Sequence, residues 1–195
     1  MEARGLAPDK KNAADLGAHL VFIDESGFML IPPIRKTWGL RGKTPLHPCH
    51  QLHDRISVIS ALTTSPVRKR LGLYFNLYLD NISQAEVRDF LRYLLQHLRG
   101  PVIVIWDNGG IHKGKLIREF LRHYPRLHLE ALPPYAPELN PDEGVWTQTK
   151  NTLANGRPDN VAELWWHLRD TLDALAYNPP SLRACVHNSD LPSFF

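Results

Sequence analysis

In the first part of the chain, hydrophobic positions fall in short runs or at every second residue, the spacing that sends side chains to alternate faces of a β-strand. HLVFIDESGFML, residues 19–30, reads as two apolar runs around Glu25-Ser26-Gly27, a hairpin-like turn. RISVISALTT (55–64) and RLGLYFNLYLD (70–80) read as two further strands. In the latter, Leu71, Leu73, Phe75, Leu77 and Leu79 alternate with Gly72, Tyr74, Asn76 and Tyr78. The period then changes. Ser83 and Glu86 form a capping-box pattern, and Val87, Phe90, Leu91, Leu94, Leu95 and Leu98 mark one face of the helix that follows. VIVIW (102–106), entered through Gly100-Pro101, is apolar at every position, as a central strand buried on both faces must be. A helix near 114–123, a strand near 127–132 and a helix from about Pro141 come next, and Asn160 and Glu163 cap a last long helix ending about Ala176. Three strands in meander order, then alternating helix and strand, predict an α/β fold with a mixed sheet flanked by helices.

Composition narrows this only modestly. The 195 residues, 43% hydrophobic and 22% charged, suit one soluble domain with a real core. A net charge of +3 permits a polyanionic partner without arguing for one, so clustering carries more information. Arg35, Lys36, Arg41 and Lys43 form one basic group, Arg68, Lys69 and Arg70 a second, and Lys113, Lys115, Arg118 and Arg122 a third. Cys49 and Cys185 are far apart and form no CxxC pair, which fits a reduced compartment. The absence of a membrane-length apolar run or a signal-peptide core predicts a cytoplasmic protein with no membrane association.

The candidate chemistry lies at strand ends, where open α/β sheets collect their ligands. Asp24 closes the apolar run LVFI and Asp107 closes VIVIW. An acid in such a place is often a turn former. Two of them on neighbouring strands would approach one point, and anions that close require a cation or a raised pKa. An all-oxygen ligand set favours a hard ion such as Mg²⁺ or Mn²⁺. LPPYAPELNPDEGVW (132–146) adds a stiff, proline-guided approach to a helix start. Asn140 as N-cap and Pro141 as N1 place Glu143 at N3, where it is either half of a capping box or a third metal ligand, and spacing alone leaves both open. His47, Cys49, His50 and His53 in HPCHQLH superficially suggest zinc, but without a second distant ligand pair they read as a surface loop.

FIDESGF (22–28), WGLRGKTP (38–45), VIVIWDNGGIHKG (102–114) and LPPYAPELNPDEGVW together resemble the catalytic domain of bacterial insertion-sequence transposases in the Tc/mariner superfamily, over roughly Leu20 to Asn178. The resemblance implies a ribonuclease H-like fold with a mixed five-stranded sheet and a D-D-E triad that binds two divalent ions. Its positions are Asp24 in FIDES, Asp107 in WDN and Glu143 in NPDE, with 35 residues between the second and third. It further implies DNA strand cleavage, transfer of the freed 3′-hydroxyl to target DNA, often at a TA dinucleotide, and assembly as a homo-oligomer on transposon ends. Asn108 and His112 are candidate accessory residues, and Arg68, Lys69, Arg70, Lys113 and Lys115 candidate phosphate contacts. Glu25 should face away from Asp24, Asp142 lies about 100° round the helix from Glu143, Glu138 belongs to loop architecture, and Trp38 and Trp146 read as core.

The expected organisation is a lead-in at 1–19, a catalytic domain at 20–178 and a tail at 179–195. Relatives carry helix-turn-helix readers before the first catalytic strand, so a separate helix-turn-helix polypeptide is the expected partner in end recognition. Two other functions fit the same residues: a metal-dependent nuclease without strand transfer, and an inactive remnant acting as a DNA-binding module.

Overall fold

The computed structural model describes residues 16–30, 41–42, 55–66, 70–154, 156 and 158–191. The HPCHQLH run, Trp38, Arg68 and Lys69 lie outside them. Five strands, β1 (His19–Met29), β2 (Arg55–Thr64), β3 (Leu71–Tyr78), β4 (Val102–Trp106) and β5 (Leu127–Ala131), form one mixed sheet in the order β3-β2-β1-β4-β5. The first three pair antiparallel, whereas β1–β4 and β4–β5 are parallel.

Strand β1 departs from the sequence reading. No turn forms at Glu25-Ser26-Gly27; the strand runs straight through, paired with β2 from Leu20 opposite Thr64 to Met29 opposite Arg55. A ten-residue partner strand pairs with β1 along this whole stretch, and that outweighs the local turn preference of Ser and Gly. Asp24 therefore sits in mid-strand. Its position is nevertheless an edge in another sense, because pairing with β4 stops at Phe22 opposite Ile105, and β1 continues beside β2 past the end of its parallel neighbour.

Alternation along the strands builds two apolar layers. On one face Val21, Ile23, Ile59 and Ala61 pack with Val87, Phe90, Leu91, Leu94 and Leu95 of α1 (Gln84–His97) and with Ile117 and Phe120 of α2 (Lys115–His123). Helix α1 starts at the Ser83/Glu86 capping box read from sequence. On the other face Phe28, Ile56, Val58, Leu62 and Leu73 meet α3 (Asp142–Leu153), α4 (Val161–Ala176) and α5 (Pro179–His187). Helix α4 is capped by Asn160, whose side chain accepts from Glu163 N at 2.9 Å.

Residues 179–195 were expected as a tail, but Pro179–His187 is a helix whose Leu182, Cys185 and Val186 belong to the core. Pro at its first turn and Asn178 accepting from Ser181 N start it. Its nine residues are too few for a clear apolar period, which hid it in the sequence. Among the described residues, no helix is long and apolar enough to cross a membrane.

Candidate active site

The end of the β1–β4 parallel pair opens into a cleft of about 440 Å³ lined by Asp24, Asp107, Asn108, Asn140, Glu143 and the proline loop from Leu132 to Pro137. Three segments remote in sequence supply its acids. Asp24 comes from β1, Asp107 is the first residue past β4, and Glu143 lies in the first turn of α3.

Asp24 is largely buried, and its Oδ2 accepts a hydrogen bond of 2.8 Å from Trp146 Nε1. Burial pushes its pKa up to about 7; the Trp146 bond opposes this, and the neighbouring carboxylates of Glu143 and Glu25 add to it. Trp146 is thus core, as read from sequence, and also a direct partner of the first acid. The usable signal was chemical: a buried indole N–H requires an acceptor, and Trp146 lies three residues after Glu143 on the same helix side.

Asp107 is exposed and held at one oxygen, with Oδ1 accepting from Gly109 N at 2.8 Å and lying 3.0 Å from His112 Nε2. A Cβ on residue 109 would stand 2.9 Å from that oxygen and 3.0 Å from the His112 ring, so only glycine permits the arrangement. His112 is buried in a 3₁₀ turn, its ring 4.2 Å from that of Trp106 and its Nε2 3.6 Å from Glu25 Oε2. Asn108 Nδ2 donates to Leu132 O at 3.3 Å and ties the Asp107 loop to the end of β5. Glu25 belongs to the opposite face from Asp24, as alternation requires, but in a strand near His112 rather than in a turn.

At Glu143 the proline stretch excludes the capping-box arrangement. Pro137–Leu139 is a 3₁₀ turn, and Asn140 N donates to Pro137 O at 2.8 Å, so the backbone group a capping-box glutamate would take is already bonded. Asn140 instead accepts from Asp142 N at 3.1 Å, one residue earlier than the expected register, because Pro141 is itself helical and α3 begins at Asp142. Glu143 is left facing the cleft. Asp142 points the other way: it is fully buried, accepts from Ser60 Oγ at 2.6 Å, and burial holds its carboxyl well above the usual range. Glu138 serves the loop, its carbonyl accepting from Asp190 N.

Of the basic candidates, Arg70, Lys113 and Lys115 are exposed, and Lys115 pairs with Glu119 at 3.7 Å. Among the described residues, no three His, Cys, Asp or Glu side chains converge tightly enough to form a metal-binding group in this arrangement.

A mixed sheet of this order, helices on both faces and an acidic cleft at the end of its central parallel pair define a ribonuclease H-like domain. The chain belongs to the DDE superfamily endonucleases, whose family model matches residues 19–165. Among solved structures it is similar to the Mos1 strand transfer complex (20% identity over 93% of this chain and 54% of that one, TM-score 0.67) and to the Mos1 transposase paired-end complex with the left transposon end (18%, 93% and 55%, TM-score 0.66). It also resembles a chain of the simian T-cell lymphotropic virus intasome in complex with a PP2A regulatory subunit (11%, 91% and 57%, TM-score 0.53). The chain thus spans just over half the length of the Mos1 chains. No curated protein sequence matches it.

Proposed function

We propose that this chain is a transposase catalytic domain in which Asp24, Asp107 and Glu143 hold two divalent cations, Mg²⁺ or Mn²⁺, and direct DNA strand cleavage followed by strand transfer. The observation that carries the reading is that these three acids, from β1, the end of β4 and the start of α3, line one cleft. The residues fit hard cations on two counts. The acids present oxygen donors only, and the Glu143 carboxylate beside Asp24 raises its proton affinity, a repulsion that a bound cation relieves. Mos1 paired-end complexes have been solved with Mn and with Mg.

When bound, such ions neutralise the phosphodiester, activate the attacking oxygen and stabilise the leaving oxygen. Asp24 is the fixed corner, held in a strand paired along its length and by Trp146. Asp107 sits on a loop pinned by Gly109, His112 and Asn108, which positions its carboxylate beside the cleft. Glu143 enters from a helix start aimed by the proline loop. Water oxygen attacks phosphorus and the P–O3′ bond breaks, leaving a 5′-phosphate and a 3′-hydroxyl. That hydroxyl then attacks a target phosphorus, one P–O bond forming as another breaks, with no covalent enzyme intermediate.

DNA is the partner, with transposon ends and a target that includes TA as substrates, Arg70, Lys113 and Lys115 as phosphate contacts, and a homo-oligomer as the working form on DNA in the cytoplasm. Incubation with supercoiled plasmid and pre-nicked duplexes in Mg²⁺ or Mn²⁺, scored for nicking and joining, tests the reading. Wild type is expected to do both. Asp107→Asn and Glu143→Gln are expected to fall to background while Asp142→Asn stays active; activity in Asp107→Asn would sink the assignment, and nicking without joining would reduce it to a nuclease.

A further inference from the structure

Beneath the cleft, hydrogen bonds close a circuit between the sheet and the start of α3. Asn140 Nδ2 donates to Ile23 O at 3.3 Å, Asn140 Oδ1 accepts from Asp142 N at 3.1 Å, and Asp142 Oδ2 accepts from Ser60 Oγ at 2.6 Å. Ser60 is the residue directly opposite Asp24 in the β1–β2 ladder, which completes the ring. Ser60 and Asp142 are fully buried and Asn140 is 5% exposed. The circuit touches the chain one residue before Asp24 and one residue before Glu143.

A carboxyl in this place is an expensive way to fill space. Burying it carries a desolvation penalty, and its Oδ1 has no hydrogen-bond partner. An apolar side chain near Cys185 would avoid both costs. What only a polar side chain supplies is a short directional bond from the helix start to the strand residue facing Asp24. We propose that the Ser60–Asp142 bond is a positioning device for the acidic cleft, setting Glu143 relative to Asp24 and so the affinity of the site for divalent cations. This rests on the reading of the cleft as a metal site. Groups that orient metal ligands without touching the ion typically change affinity about 10- to 100-fold when lost.

Mn²⁺ binding, followed by electron paramagnetic resonance of the free ion, tests this on the full chain alongside thermal melting and the Mn²⁺ concentration for half-maximal plasmid nicking. Ser60→Ala removes the donor with little change of volume and is expected to weaken Mn²⁺ binding about tenfold and to raise the half-maximal Mn²⁺ in parallel, with turnover at saturating Mn²⁺ largely kept. Asp142→Asn is nearly isosteric, keeps an oxygen for the serine hydroxyl and is expected to bind within about threefold of wild type; a purely space-filling role predicts no loss in either variant, so the loss in Ser60→Ala beside the retention in Asp142→Asn is the signature of the bond. Asp107→Asn serves as the control for the site itself. If Ser60→Ala lowers the melting temperature but binds Mn²⁺ like wild type, while Asp107→Asn loses it, the positioning role is overturned and the metal site stands. If Asp142→Asn weakens binding as much as Ser60→Ala, the bond is not the device and the proposal fails. Failure of wild type to bind Mn²⁺ overturns both.

Discussion

Asp24 and Asp142 give the metal-free protein a characteristic response to pH. Both carboxyls hold their protons more tightly folded than unfolded, Asp24 to about 7 against an ordinary 3.8 and Asp142 in the same direction. A raised folded pKa means that the native state binds more protons, so the stability these groups confer is present below the unfolded pKa and is lost as pH rises through the folded one. Without divalent ions the chain is expected to melt at lower temperature at pH 8 than at pH 5, with Asp24 contributing about 2–3 kcal/mol of the difference. Added Mg²⁺ should restore part of the loss at pH 8, because it binds the deprotonated form. Thermal melts at the two pH values, with and without Mg²⁺, check this; a flat profile would contradict the burial of these acids. Trp146 acts on the same group. Its N–H stabilises the Asp24 anion, so Trp146→Phe should move the acid limb of the nicking pH profile upward by about one unit while sparing most of the packing.

Helix α3 carries Glu143, and α5 holds that helix from behind. A Cβ on Gly144 would lie 2.9 Å from Cys185 Cα, a backbone atom that cannot swing aside, and Gln148 Nε2 donates to Ser181 O at 3.1 Å and to Cys185 Sγ at 2.9 Å. Gly144→Ala is therefore expected to force the two helices apart and destabilise the fold by about 1–3 kcal/mol, read as a shifted denaturant midpoint with an unchanged slope. Deletion after Asn178 should be worse, since it strips Leu182, Cys185 and Val186 from the core. Most elements were legible because their signals were local: the alternation of β3, the Ser83/Glu86 capping box, the all-apolar VIVIW. The reading failed where tertiary partners decided. Glu25-Ser26-Gly27 has turn chemistry, yet a full-length partner strand straightened it, and α5 has too short a pattern to announce itself. The three acids that line the cleft were picked out by the family resemblance of their motifs, whereas the Trp146–Asp24 and Ser60–Asp142 bonds were not legible, because each joins residues more than eighty positions apart that no local period connects.

At the scale of the whole molecule, Lys113, Lys115 and Arg70 are exposed, and Arg68 and Lys69 adjoin Arg70 in sequence. Phosphate contacts of this kind carry no sequence information, so the chain is expected to bind duplex DNA with dissociation constants around 10⁻⁴ to 10⁻⁶ M and a steep fall with salt. Filter binding of two unrelated duplexes at two ionic strengths checks it. A hundredfold preference between them, about 2.7 kcal/mol, would show that base reading resides within these residues.

The cleft is assembled from three segments far apart along the chain, and their order has a consequence for biosynthesis. Asp24 leaves the ribosome first, and its neighbour Glu143 and the helix that braces it follow more than a hundred residues later. Prematurely terminated products that stop before α3 would carry two acids and no closed site. On the proposed reading, a nuclease that is hazardous to its own genome stays harmless during synthesis and becomes competent only when nearly the whole domain has been made.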